Sequence, residues 1–162
     1  MVIKTSKKLN SRQKGANAER EVAKLLKAWW MQLEPECNFV KTPLSGGFST
    51  PAVRGDFKLN GDLMTTAKLF PWSVEIKRRE DWSEETFRAG KPSPVWSWWN
   101  QTCRAAKESK QRPMLWFRKS RMPWTVMVSG LTTGTWIADR GVTIVRASVI
   151  LESTPTYASE TW

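Results

Sequence analysis

The fold is limited most by the order in which helix-like and strand-like patterns of apolar residues follow one another along the chain. Between about Ser11 and Met31, apolar residues recur at three- and four-residue steps, which predicts an amphipathic helix capped by Asn10 or Ser11. A second helix is predicted from Trp96 to about Lys110. Three strand-like segments lie between the helices and two follow the second: CNFVKT, FKLNGDLMT, WSVEIKR, MLWFRK and WTVMVS. This order predicts an α/β domain with a central mixed β-sheet flanked by helices.

The length of 162 residues fits one domain with its own hydrophobic core. We predict a basic amino-terminal arm at residues 1–12, a main domain at residues 13–150 and a tail at residues 151–162. No apolar run approaches the roughly 20 residues that span a membrane, and the amino terminus lacks the apolar stretch of a secretory signal. The two cysteines are too few for a disulfide framework. We therefore expect a cytoplasmic protein without a membrane partner.

The charge balance favours a polyanionic partner and excludes several kinds of active site. The chain has a formal net charge of +11 and a pI near 10.1, which makes nucleic acid the leading partner and an anionic membrane surface the second. Because the sequence contains no histidine, it can hold neither a Ser/His/Asp triad nor a His-ligated zinc hydrolase. Any hydrolysis must use carboxylates, lysines and a hard metal ion.

One predicted strand, WSVEIKR, presents opposite charges on one face. Strand alternation sends Glu75 and Lys77 to one side while Val74 and Ile76 share the other. In most proteins such a pair is an ordinary surface ion pair. Here Asp62 lies on the preceding predicted strand, and an Asp and a Glu on adjacent strands can converge as ligands for Mg²⁺ or Mn²⁺. A lysine beside them can stabilise negative charge on a phosphoryl group.

These residues resemble the PD-(D/E)XK nuclease core, in which an Asp precedes an E-x-K strand. Here thirteen positions separate Asp62 from Glu75, and Gly61 replaces the usual proline. The stretches RQKGANAEREVAKLL and FVKTPLSGG are similar to archaeal-type Holliday junction resolvases, and the similarity covers roughly Arg12 to Lys77. The chain also resembles resolvase-like proteins that phages encode. The resemblance implies a PD-(D/E)XK fold and, if a phage encodes the chain, a place in the host cytoplasm.

The resemblance also implies roles for individual residues. The Asp62 and Glu75 carboxylates and the Ile76 carbonyl would bind Mg²⁺ or Mn²⁺, with Glu19 acting through a water, and no small-molecule cofactor is expected. A second Gly-Asp at Asp56 is the alternative to Asp62, but it would lie nineteen positions before Glu75. Catalytic roles fall on five residues: Glu19, Ser45, Asp62, Glu75 and Lys77.

The implied substrate is DNA, in the form of a four-way junction bound by a two-fold homodimer. Other PD-(D/E)XK nucleases cut duplex or flap DNA, and a basic protein can bind DNA without cutting it, so both alternatives remain open. Large aromatics at helical spacing are usually core, although a dimer interface or base stacking is also possible for the tryptophans. Eight basic residues are expected to contact DNA: Lys7, Lys8, Arg12, Lys14, Arg20, Lys41, Arg78 and Arg79.

Overall fold

A computed structural model describes residues 10–43, 57–129, 135–137 and 142–155 of the chain. Within them, one helix is followed by four strands, two helices, four more strands and a last helix. The four helices are α1 (Ser11–Trp30), α2 (Glu84–Arg88), α3 (Pro94–Glu108) and α4 (Ala147–Leu151). The strands are β1 (Phe39–Lys41), β2 (Lys58–Asn60), β3 (Leu63–Thr65), β4 (Trp72–Arg78), β5 (Arg112–Arg118), β6 (Thr125–Val128), β7 (Thr135–Ile137) and β8 (Val142–Arg146).

The described strands form two sheets. The larger sheet has the order β4-β5-β6-β8-β7, with β4 and β5 parallel and the remaining neighbours antiparallel. The smaller sheet has the order β1-β3-β2 and is antiparallel. The predicted mixed sheet is therefore confirmed, although the first strands of the chain form a separate sheet beside it. An isolated parallel bridge between Gly61 and Val74 joins the two sheets.

Helices cover both faces of the larger sheet, and each face has its own hydrophobic cluster. On one face, Val74, Ile76 and Trp116 pack against the apolar stripe of α1. On the other, Leu115 and Phe117 pack with Trp96 and Trp99 of α3. Because side chains alternate along a strand, Glu75 and Lys77 project on the α3 side of β4 and Arg78 on the α1 side.

The helix predictions hold apart from small shifts at their ends. The Asn10 side chain accepts a hydrogen bond from the Gln13 N–H at 2.8 Å, so Asn10 rather than Ser11 caps α1. Helix α3 begins at Pro94, two residues before the predicted start, because the Ser93 hydroxyl caps it and proline suits a first helical turn. The connection between β4 and α3 contains the short helix α2, which Ser83 caps.

The strand predictions need one correction. The stretch FKLNGDLMT was predicted as one strand with a turn or a bulge at Gly61 and Asp62; it forms two strands, β2 and β3, which pair antiparallel across a turn at these two residues. The positive φ of Gly61, 75°, lets the chain reverse there. Near the carboxyl terminus, the apolar run GVTIVRASVIL forms β8 and α4.

Most tryptophans in the described residues are core residues. Trp29 and Trp30 of α1 pack with Trp72 and Phe70 in edge or tilted contacts, with ring centroids 5.1 to 6.1 Å apart. Trp98 is partly exposed and packs on the α3-side cluster. The packing supports the core interpretation of the aromatics. No helix among the described residues is long and apolar enough to cross a membrane.

Candidate active site

The candidate site lies on the outer edge of β4, where the turn between β2 and β3 docks against it. The Asp62 N–H donates to the Val74 carbonyl at 2.7 Å, and the Asn60 side-chain amide donates to the Trp72 carbonyl at 2.7 Å. On the other side of the turn, Thr42 donates its N–H to the Asp62 carbonyl at 2.8 Å. These bonds fix Asp62 beside β4, on the edge that β5 does not occupy.

Gly61 is required at this contact for two reasons. Its φ of 75° lies in the left-handed region, which side chains with a Cβ rarely adopt. In addition, a Cβ at Gly61 would lie 2.3 Å from the Val74 carbonyl oxygen, far inside van der Waals contact. Proline fixes φ near −65°, so it could not take this conformation. The glycine that stands in place of the usual proline is thus explained by the backbone of the turn.

Asp62 is held by the E-I-K segment itself. Its Oδ2 accepts a hydrogen bond from the Ile76 N–H at 2.8 Å. Burial, reinforced by the neighbouring Glu75 carboxylate, raises the pKa of Asp62 to about 7, against the partial opposition of the Ile76 N–H and Lys77. The Asp62 and Glu75 carboxylates therefore lie close enough to repel each other in the absence of a cation.

Glu75 and Lys77 form the ion pair that strand alternation predicts. The Lys77 Nζ lies 2.5 Å from the Glu75 Oε1, and the Glu75 side chain is 13% exposed while that of Lys77 is 25% exposed. Both side chains remain open enough to reach a ligand at the sheet edge. The pair is therefore a half-buried ammonium and carboxylate next to Asp62, and differs from a solvated surface pair.

Glu19 of α1 approaches the same place from the flank of the helix. Its Oε2 lies 3.7 Å from the Lys41 Nζ on β1. Burial raises the pKa of Glu19, Lys41 opposes that shift, and the Glu75 carboxylate adds to it. Glu19 thus lies near enough to Glu75 to feel its charge, and it is paired with Lys41 at the border of the site.

Comparison with known proteins gives one family. The model of the family described as "Phage putative PDDEXK endonuclease" matches residues 10–159 of the 162. The chain belongs to this phage PDDEXK endonuclease family. No curated protein and no solved structure matches. Membership confirms the predicted PD-(D/E)XK fold and supports a phage-encoded endonuclease, which implies DNA as substrate.

PDDEXK endonucleases typically use divalent metal ions, which need hard oxygen donors from the protein. No three Asp, Glu or Cys side chains in the described part of the chain are grouped to hold a metal ion. Two carboxylates are close to each other, however: burial first and the Glu75 carboxylate second raise the pKa of Asp62, and a cation between the two carboxylates would relieve their repulsion. Carboxylate oxygens are also the hard donors that Mg²⁺ and Mn²⁺ prefer. Asp62 and Glu75 therefore fit a divalent ion.

The remaining predicted residues of this PDDEXK endonuclease are spread over the surface or cannot be placed. Arg20 is exposed on α1 and donates to the Asn17 Oδ1 at 3.1 Å. Arg79 forms an exposed ion pair with Asp81 at 3.3 Å. Arg12 and Lys14 lie on the first turns of α1, and Arg78 ends β4. Four predicted residues lie outside the described residues: Lys7, Lys8, Ser45 and the alternative acid Asp56.

Two polar residues of the site region were missed by sequence reasoning. Asn60 is fully buried, and its Oδ1 has no hydrogen-bond partner among the described residues. In the sequence, the position of Asn60 two residues before Asp62 was the signal that could have pointed to it. Glu21, two residues after Glu19, accepts hydrogen bonds from Arg118 and from Trp124. No local pattern in the sequence could have predicted the Glu21 contacts, because its partners lie 97 and 103 positions away.

Proposed function

We propose that this protein is a metal-dependent, structure-selective DNA endonuclease that resolves four-way junctions by phosphodiester hydrolysis in the host cytoplasm. The observation that carries the catalytic part is the meeting of Asp62, Glu75 and Lys77 at the free edge of β4, with Glu19 beside them. A structural ion pair needs no second buried carboxylate whose pKa is raised to about 7.

In this proposal Asp62 and Glu75 bind Mg²⁺ or Mn²⁺, with the Ile76 carbonyl as a further donor and Glu19 acting through a water. The ion would lower the pKa of a bound water and offset negative charge on the phosphate. Lys77 would donate to the phosphate oxygens, since its ammonium is already held beside Glu75. The hydrogen bond from Ile76 N–H to Asp62 keeps the carboxylate oriented.

The junction specificity rests on different support. The segment from Arg12 to Lys77 resembles archaeal-type Holliday junction resolvases, and the family is one of endonucleases. The net charge of +11 suits binding through the DNA backbone, so affinity should fall steeply with salt. We propose a two-fold homodimer, because paired sites would then face opposite strands of a symmetric junction. Lys7, Lys8, Arg12, Lys14, Arg20, Lys41, Arg78 and Arg79 are the proposed DNA contacts, and Ser45 is proposed near the scissile phosphate.

A cleavage assay tests the proposal directly. A four-way junction, a duplex of the same sequence and a flap are each incubated with the protein in Mg²⁺, in Mn²⁺ and in a chelator. Paired cuts on opposing strands of the junction, dependent on metal, are expected. Equal cutting of plain duplex would refute junction selectivity while keeping the nuclease activity. Binding of all three without any cleavage would favour a non-catalytic DNA-binding protein.

A further inference from the structure

Arg78 and Arg118 lie side by side at the carboxyl ends of two parallel strands. The two residues are register partners in the β4–β5 pair, so their side chains leave the same face of the sheet, about 5 Å apart at the backbone. Both side chains are partly buried, and the Nε of each is buried without a hydrogen-bond partner among the described residues. Two guanidinium groups in this position repel each other unless anions compensate both.

Only one of the two has a carboxylate partner in the described part of the chain. The Arg118 Nη2 donates to the Glu21 Oε2 at 2.5 Å, and the Arg118 guanidinium stacks over the Trp124 ring at 4.3 Å. The Trp124 Nε1 donates to the other oxygen of Glu21 at 3.0 Å. Arg118 is thus held by Glu21 and by Trp124, whereas Arg78 has no ion pair among the described residues.

The nearby acidic residues do not compensate Arg78. Asp81 is paired with Arg79, and the Glu80 Oε1 accepts both the backbone N–H of Ser120 at 3.0 Å and its hydroxyl. Lys14 and Lys119 add further positive charge close to Glu80. The end of β4 and β5 next to α1 therefore carries an excess of positive charge that is partly withdrawn from water.

We propose that Arg78 and Arg118 form a binding subsite for a phosphate group of the DNA backbone. The forked guanidinium donors match phosphate oxygens, and an arriving anion would compensate the Arg78 guanidinium, which has no ion pair among the described residues and a buried Nε without a hydrogen-bond partner there. Glu21 holds Arg118 in place in the free protein and competes with the DNA phosphate for it. The subsite rests on the proposed DNA substrate, and it is not the scissile position, because Arg78 and Lys77 leave opposite faces of β4.

Binding without cleavage tests the subsite. Dissociation constants for a fluorescent four-way junction are measured by anisotropy in a chelator at several salt concentrations, for the wild type and four variants. Arg78→Ala should weaken binding about tenfold and reduce the slope of log Kd against log salt by about one. Arg118→Lys keeps the positive charge but loses the paired guanidinium donors, so it should weaken binding several-fold with little change in the salt slope. The matched control Lys68→Ala removes an exposed charge at the opposite end of β4 and should change both values less.

Glu21→Gln gives the sharpest result. Glutamine has a single acceptor oxygen, so it can accept from only one of Arg118 and Trp124, and it no longer neutralises Arg118; DNA binding should therefore tighten several-fold and the salt slope should steepen. If Glu21→Gln instead weakens binding in parallel with a lower melting temperature, the cluster is only a structural clamp and the subsite is refuted. Equal effects of Arg78→Ala and Lys68→Ala would refute it as well.

Three further outcomes separate the subsite from a free-phosphate site and from the endonuclease proposal. If millimolar inorganic phosphate, compared with chloride at equal ionic strength, raises the melting temperature of the wild type but not of Arg78→Ala while DNA binding is equal in both, the site is one for free phosphate. If no DNA is cleaved in metal, the endonuclease proposal fails, but the binding measurements in chelator still decide the subsite. Normal cleavage together with unchanged Arg78→Ala binding refutes the subsite alone.

Discussion

The two edges of β4 are built in different ways. On one edge, all seven residues from Trp72 to Arg78 pair in parallel with β5. On the other, a single bridge at Gly61 and hydrogen bonds from Asn60 and Asp62 hold the strand. On the first edge, the backbone N–H and C=O groups of β4 are paired with the backbone of β5. On the second edge, they are paired partly with side chains, and the acidic residues lie there.

The difference explains where the chemistry lies. A regular ladder leaves no backbone group for a ligand, whereas an edge closed by a turn can place a carboxylate within hydrogen-bond distance of a strand N–H. Asp62 uses this to sit beside Glu75 although the two come from different sheets. The following predictions alter the irregular edge and leave the regular one intact.

The largest effect is expected for Glu75→Gln, which removes a charge without changing the shape of the side chain. Cleavage should fall on the order of a thousandfold, because a proposed metal ligand and the partner of Lys77 are lost together. The matched control is Glu85→Gln on the exposed surface of α2, which should cut DNA at the wild-type rate. Initial rates on the junction in Mn²⁺ are the measurement. Wild-type activity of Glu75→Gln would exclude Glu75 from the reaction.

Gly61→Ala should destabilise the fold most strongly. The added Cβ would lie 2.3 Å from the Val74 carbonyl oxygen and require a left-handed φ, so we expect a loss of about 3 kcal/mol or more in the free energy of unfolding. Gly90→Ala is the control, since Gly90 has φ 70° but no atom within 4 Å of the added Cβ; it should cost about 1 kcal/mol. Urea denaturation measures both. Similar losses for the two variants would show that contact with β4 is unimportant.

The raised pKa of Asp62 predicts a dependence of stability on pH. The unfolded state releases this proton near pH 4, whereas the folded state keeps it until about pH 7. The stability contributed by protonated Asp62 should therefore be lost as pH rises from about 4 to 7, and should change little above that range. Asp62→Asn should remove this part of the pH dependence and be more stable than the wild type at pH 8, while losing cleavage. Denaturation at pH 5 and pH 8 checks it, and an unchanged pH profile in Asp62→Asn would contradict the assignment.

Asn60→Ala should have a smaller effect on stability. It leaves the buried Trp72 carbonyl without its side-chain donor, which costs about 1–3 kcal/mol. Because Asn60 helps hold the turn that carries Asp62, cleavage should also fall, with the loss in kcat rather than in KM. Asn100→Ala, at an exposed position of α3, serves as the control. Full activity of Asn60→Ala would show that the backbone bonds of the turn suffice.

The sequence predicted the parts of the molecule that depend on local periodicity. The α1 stripe, strand β4 and the placement of Glu75 and Lys77 on one face follow from spacing alone. For residues 58–65 the sequence left a turn and a bulge at Gly61 and Asp62 open, because the choice depends on the contact of Gly61 with Val74. The buried role of Asn60 and the bonds from Arg118 and Trp124 to Glu21 likewise depend on tertiary contacts that no local pattern encodes.

The conformation of Gly61 bears on how relatives of this chain can be recognised. The residue that precedes the aspartate depends on the conformation of the turn. A turn with negative φ at this position admits proline, whereas a turn with φ near 75° that contacts a neighbouring strand admits little but glycine. A search pattern that demands proline would pass over chains built in this way. A pattern that allows glycine as well as proline there, with an E-x-K motif thirteen places after the aspartate, would include this chain.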